Sequence, residues 1–295
     1  KGKGATFTVH LKLGREHFSE DQIVEQEDSI ERGEILLAEA EDYSPDQTSY
    51  TPIEGAKMLI VEDNDSLREM LIGMFKPFYI ILSASDGEEG LEIVRKEIPN
   101  IILSDVLMPK MSGVELCKQV KSNIETCHIP VVLLTARTTI EHTIEGLQNG
   151  ADDYITKPFN ISILISRCNN LVNSRVILQE KFSQQPQMTP LMLATNKLDK
   201  DFIDKVMNVV EENISNPDFN IDILADTMGI ARTNIYTKIK AITGQTPNKF
   251  ILTIKLKKAA FLLKNNPELR ISDISDITGF TTSGYFGKCF KETYH

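Results

Sequence analysis

Between residues 56 and 180, short apolar runs alternate with amphipathic stretches, and a functional group follows the end of most runs. The runs are Met58–Val61, Tyr79–Ser83, Ile101–Ser104, Val131–Thr135 and Asp153–Thr156. Helical spacing of apolar residues fills the intervals, over Ser66–Met74, Gly87–Glu97, Gly113–Ser122, Thr139–Asn149 and Ile161–Leu178. Strand-length runs alternating with helix-length patterns form βα units, and five of them predict an α/β, doubly wound parallel sheet with helices on both faces.

Such a sheet gathers its ligand groups beyond the carboxyl ends of its strands. Here those positions are chemically rich. LIVEDND delivers Glu62 and Asp63, IILSD delivers Asp105, VVLLTA delivers Thr135, and DYITKPF delivers Lys157. Each alone is ordinary: a loop cap, a β-branched strand residue, a surface lysine. Together they put three carboxylates and one ammonium in a single crevice. Carboxylates crowded this way raise one another's pKa, and a hard divalent cation relieves the conflict. Mg²⁺ suits a few carboxylates plus water and a phosphate oxygen. Pro158 directly after Lys157 predicts a fixed turn, in the cis form or not, that aims the lysine at the acids.

Residues 57–175 resemble the receiver domain of bacterial response regulators. The match is carried by Glu62-Asp63, Asp105, Met108-Pro109, Gly113, Thr135-Ala136, Tyr154 and Lys157-Pro158. The resemblance implies a flavodoxin-like five-stranded fold with Asp105 as the phosphoacceptor. It implies Mg²⁺ held by Glu62, Asp63, Asp105 and the Leu107 backbone carbonyl. Thr135 and Lys157 match the phosphate-contacting groups and Tyr154 the switch aromatic. A Mg²⁺-dependent phosphatase with an aspartate nucleophile is the enzymatic alternative. That type carries a second acid two residues after the nucleophile, where this chain has Leu107.

Residues 199–295 read as helical throughout. ILADTMGIARTNIYTKIK and ISDITGFTTSGYFGKCFK align about 50 residues apart, each a helix, a glycine turn and a helix. A longer helix, Pro247–Leu263, lies between them. From Gly229 to Lys264 there are eight bases and no acid, a balance suited to phosphate contacts. This half resembles the AraC/XylS-type DNA-binding domain, which implies promoter duplex as partner and recognition helices over Ala231–Ile242 and Thr282–Thr293. The DNA-facing residues would be Arg232, Thr233, Tyr236, Thr237 and Lys240 on the first, and Thr282, Ser283 and Lys288 on the second. Ile235, Ile239, Phe286 and Phe290 read as core. The family continues with a further turn and helix beyond the position of His295.

The remaining segments are read from composition. Residues 1–14 alternate as one strand and resemble the closing strands of a sensor histidine kinase ATP-binding domain, though its nucleotide-binding boxes are absent and no kinase activity is expected of this segment. Residues 15–55 are expected to be an acidic linker, with 13 acids against one base from Glu16 to Glu54, a helix over Ile23–Ala40 being a further option. Residues 56–180 are the receiver, 181–198 a second linker and 199–295 the DNA-binding domain. Lys1 is not a start methionine, which points to a piece of a longer polypeptide. Kinase remnant, receiver and AraC-type domain in this order resemble the C-terminal part of hybrid two-component sensors. A histidine kinase would then be the phosphodonor, in the same polypeptide or, alternatively, as a separate protein. Homodimerisation on phosphorylation is also implied. Scattered cysteines without a C-x-x-C pair, and no run of ~18 apolar residues, set the expectation of a cytoplasmic segment without membrane contact, in a parent anchored in the inner membrane.

Overall fold

A computed structural model describes residues 55–136 and 150–294. The strand expected over 1–14, the acidic linker with its optional helix, and the helix expected over Thr139–Asn149 lie outside the described residues.

Within them, β1 (Lys57–Val61), β2 (Ile80–Ala84), β3 (Ile101–Asp105), β4 (Val131–Ala136) and β5 (Asp153–Lys157) form one parallel sheet in the order β2-β1-β3-β4-β5. Successive side chains in a strand point to opposite faces, and both faces are apolar here. Met58, Ile60, Ile101, Leu103, Val132 and Leu134 pack with α1 (Asp65–Phe75) and α4 (Ile161–Gln184). Leu59, Val61, Ile102, Val131 and Leu133 pack with α2 (Gly87–Glu97) and α3 (Gly113–Ser122). Uninterrupted apolar runs in the sequence are therefore two interleaved sets, one for each layer of helices.

The helical half comprises α5 (Lys197–Glu212), α6 (Ile221–Met228), α7 (Arg232–Thr243), α8 (Pro247–Asn265), α9 (Ile271–Ile277) and α10 (Ser283–Tyr294). The internal repeat is real in three dimensions. Gly229 and Gly279 both turn the chain between paired helices at φ 64°, the left-handed region where a side chain is strained. Each unit has its own core. Ile235, Ile239 and Leu224 belong to the first, and Ile274, Phe280 and Phe286 to the second. Phe290 packs at the edge of the second. The long helix α8 serves both, giving Phe250 and Ile254 to the first and Leu256 and Ala259 to the second.

The boundary between the halves differs from the expected linker over 181–198. Helix α4 runs on to Gln184, and Phe182 at its end is fully buried in the core of the helical half. Met188 and Leu193, the latter in a short 3-10 turn over Pro190–Leu193, join that core. A polar, proline-containing sequence reads as a linker because its few apolar residues lack periodicity. Those few residues are what it buries.

Candidate functional site

Register brings the predicted groups to one edge of the sheet. Val61 pairs with Ser104, Asp105 with Leu134, and Ala136 with Lys157, so the carboxyl ends of four strands are level. Glu62, Asp63 and Asp105 each place a carboxylate oxygen within 4.8 Å of the others. Lys157 Nζ lies 3.0 Å from Glu62 Oε2 and 3.1 Å from Asp105 Oδ2, so it ties two of the three acids together. Its peptide bond to Pro158 is cis. Asp105 Oδ1 accepts from the Val106 amide at 2.8 Å. The carboxylate is thus oriented at both oxygens.

Burial is graded across the cluster. Glu62 is 2 % exposed, Asp105 half-buried and Asp63 open to solvent. Burial pushes the Glu62 carboxyl above its usual range, an effect the Lys157 hydrogen bond and charge oppose. An acid set of this kind, with one exposed member, fits a hard divalent cation such as Mg²⁺ entering from solvent. Leu107, whose carbonyl is the fourth predicted ligand, sits in the exposed loop just after β3. Thr135 is buried at the end of β4, beside Thr156 in register. Tyr154 lies further back on β5, its ring against the α2/α3 layer. Its hydroxyl is buried with no hydrogen-bond partner among the described residues, and burial raises its pKa.

The loop after β3 is built for close approach. A Cβ on Gly113 would stand 1.9 Å from the Asp105 carbonyl oxygen, so the chain can return to the strand end only with glycine there. Ser112 and Glu115 then start α3 with a capping box.

Sequence reasoning missed the groups that brace these loops. Lys110, at φ 62°, pairs with the buried Asp86 at 2.6 Å, pinning the loop after β3 to the start of α2. Arg68 Nη1 donates to the Glu62 carbonyl at 2.7 Å, and its other end pairs with Asp65. Asp86 was findable as an N-cap before the acidic first turn of α2. Nothing local marks Lys110 or Arg68.

On the helical half, Arg232, Thr233, Tyr236, Thr237 and Lys240 are exposed on α7. Thr282, at the start of α10, and Ser283 and Lys288 within it are exposed as well. Arg232 is paired with Asp222 at 3.1 Å. Three lysines of the basic run do other work. Lys238 is buried against Asp199, Lys255 donates to the carbonyls of Asn216 and Gly279 at 2.9 Å each, and Lys257 donates to the Gln185 carbonyl and lies 4.6 Å above the Phe182 ring. The basic face expected of this run is correspondingly narrower.

Comparison with known proteins agrees with this division. The model of the response regulator receiver domain matches residues 58–169, and that of a helix-turn-helix domain matches residues 224–295. The chain thus carries a response regulator receiver domain followed by a helix-turn-helix domain of the AraC type. That pairing supports a phosphorylation-controlled, DNA-binding response regulator. Histidine kinase P4 of Formosa agariphila is 39% identical over 297 residues, which cover 99% of this chain. The chain spans only 22% of the length of that relative. Among solved structures, the receiver domain of a signal transduction histidine kinase from Syntrophus aciditrophicus is 34% identical, covering 41% of this chain and 92% of that one, with a TM-score of 0.39. A receiver domain of a Pseudomonas aeruginosa sensor histidine kinase, described with magnesium in its cleft, is 23% identical over 40% of this chain and 98% of its own, with a TM-score of 0.38. No helix among the described residues is long and apolar enough to cross a membrane.

Proposed function

We propose that Asp105 accepts a phosphoryl group from a histidine kinase and that this controls sequence-specific binding of promoter DNA by α7 and α10. The observation that carries the reading is the Lys157 ammonium bridging Glu62 and Asp105, with Asp63 completing three convergent carboxylates. An Asp105 carboxylate oxygen forms the new bond to phosphorus as the donor's bond to phosphorus breaks, giving an acyl phosphate. Lys157 offsets charge on the transferring group, and Val106 N–H holds the second carboxylate oxygen. Glu62, Asp63, Asp105 and the Leu107 carbonyl would hold Mg²⁺, which supplies further charge neutralisation at the phosphoryl oxygens. Phosphate on Asp105 recruits Thr135 and Lys157, and the resulting loop movement repositions Tyr154.

On the DNA side, Arg232, Thr233, Tyr236, Thr237 and Lys240 would meet one major-groove segment, and Thr282, Ser283 and Lys288 the next. The kinase donor belongs to the same parent polypeptide, a membrane-anchored hybrid sensor with this segment in the cytoplasm; the similarity to a histidine kinase over 99% of this chain supports that arrangement. Phosphorylated chains would pair as homodimers. Incubation with a small acyl-phosphate donor and Mg²⁺ should phosphorylate the chain and raise its affinity for duplex DNA. The Asp105→Asn variant should do neither, and persistent labelling of that variant would move the acceptor elsewhere.

A further inference from the structure

Between the receiver and α7 lies a cavity of about 480 Å³, within the roughly 300–1,000 Å³ usual for small-molecule sites. Its α7 wall carries Thr237 and Lys240. Its receiver wall carries Arg175 and Val176 on α4, with Ile98 and His128 from the segments that lead into β3 and β4. Among the described residues, no acid lines it.

Two lining residues hold buried polar atoms with no partner among the described residues: Nε and Nη2 of Arg175, and Nδ1 of His128. The far end of the guanidinium is fixed, because Nη1 donates to the His128 carbonyl. Nε and Nη2 share one edge of the group. They form a pair of parallel N–H donors that matches two oxygens of a carboxylate or phosphate. A buried cation left without such acceptors is destabilising. The acids near enough to act on its charge are engaged elsewhere, Asp199 with Lys238 at 2.5 Å and Asp152 with Lys121 at 2.6 Å.

The two walls are tied to each other. Gln179 on α4 donates to the Ala241 and Ile242 carbonyls at the end of α7, each at 3.1 Å. Asn196, the N-cap of α5, donates to the carbonyl of Cys127, next to His128, at 2.9 Å. A ligand therefore meets a largely preformed site.

We infer that this cavity binds a small phosphate monoester. The Arg175 fork takes two phosphate oxygens, and Lys240 with the Thr237 hydroxyl takes the third. His128, carrying its proton on Nδ1 in the neutral form, adds a donor. Both Arg175 nitrogens are covered as the side chain stands, so binding includes a small swing of the guanidinium toward Lys240. A carboxylate would spend both its oxygens on the fork and leave Lys240 unmatched. A phosphate monoester offers three terminal oxygens and about −1.5 to −2 of charge near pH 7. The organic part of the ester lies against Ile98, Val172 and Val176. This inference goes beyond the proposed function and does not depend on Asp105 accepting phosphate.

Titration calorimetry on the full chain without Mg²⁺ tests it, with phenyl phosphate as the probe and inorganic phosphate and benzoate beside it. Phenyl phosphate should saturate one site below about 1 mM and bind at least about tenfold more tightly than the other two. Inorganic phosphate lacks the apolar body, and benzoate lacks the third oxygen. Arg175→Lys keeps the charge but removes the fork, and should weaken phenyl phosphate at least about tenfold. Val176→Glu sets a carboxylate in the cavity and should do the same. Lys205→Ala, at an exposed base on α5 outside the cavity, should bind as the unaltered chain does. Circular dichroism checks that each variant folds. If Arg175→Lys does not, Val176→Glu decides together with Val176→Phe, which fills the cavity and should also abolish binding. No saturable binding of phenyl phosphate would overturn the inference. So would binding that the cavity variants leave intact, or that Lys205→Ala weakens as much as they do, since the anion would then sit elsewhere. Inorganic phosphate or benzoate binding as tightly as phenyl phosphate would remove the phosphate monoester as the ligand class.

Discussion

Phe182 stacks on Phe250 with ring centres 6.0 Å apart and planes 28° from parallel, and the helix that carries Phe182 begins four residues after Lys157. One rod of 24 residues, about 36 Å at the usual rise, therefore has its start at the acidic crevice and its end in the core of the helical half. A displacement of the Lys157 loop cannot be absorbed by a flexible joint at residue 180, because there is none.

Phe182→Ala should remove much of that connection. Phe182 is fully buried, and Phe-to-Ala changes in cores cost about 3–5 kcal/mol. The loss should appear as a lower urea midpoint for the helical half, while phosphate uptake on Asp105 persists, since Phe182 belongs to neither receiver core layer. An unchanged urea midpoint would show that the stack adds no stability.

Gly113→Ala should abolish phosphate uptake or the fold of the receiver. The new Cβ would meet the Asp105 carbonyl oxygen at 1.9 Å and the Ser104 hydroxyl at 2.8 Å, and backbone oxygen cannot step aside. Gly73→Ala is the contrasting case. That glycine is exposed on α1 with nothing within 4 Å of the added carbon, so the change should stabilise by about 0.5–1 kcal/mol. Thermal unfolding and acyl-phosphate labelling of both variants check the pair; normal labelling by Gly113→Ala would mean the loop after β3 tolerates a shift that its geometry forbids.

The crevice and the sheet were readable for one physical reason: period and position carry the information. Asp105 and Lys157 sit at strand ends that the apolar runs announce, and the observed strands begin and end within a residue of the expected ones. Side-chain partnership carries no such local signal. Lys238 and Lys240 are two residues apart in a basic run, yet one is buried on Asp199 and the other is exposed. That difference is fixed by α5, which arrives from nearly 40 positions earlier in the chain. Phe182 was hidden for a related cause, since the polar residues after it look like the beginning of a linker.

Acidification should weaken the chain through His128. Burial, then the charges of Arg175, Lys238 and Lys121, hold its imidazole well below the ordinary 6.5, so it is neutral in the fold. Below about pH 6.5 the unfolded chain binds a proton that the folded chain refuses. Stability therefore rises with pH in that window and falls on acidification, by up to about 1.4 kcal/mol per pH unit for one site. His128→Gln cannot take the proton, and its urea midpoint should decline less between about pH 7 and pH 5.5. Parallel declines in the two proteins would assign the acid sensitivity to other groups.

The basic residues of the helical half should separate into two classes by salt. Lys255 joins the two helix-turn-helix units through the Asn216 and Gly279 carbonyls, so Lys255→Met leaves two acceptors without their donor, at about 1–3 kcal/mol each, and should lower the thermal midpoint. It should not change how duplex affinity depends on salt, because a buried lysine releases no counterions from DNA. Arg232 and Lys288 are exposed, one on each assigned reading helix. Each phosphate contact contributes about 0.9 to the slope of log affinity against log salt, so the double change to alanine should lower that slope by about two in the phosphorylated chain, with little loss of stability. Titration of any mixed-sequence duplex at several salt concentrations reads the result, since phosphate contacts do not depend on base order. A salt slope that the double change leaves unaltered would take Arg232 and Lys288 off the phosphate backbone.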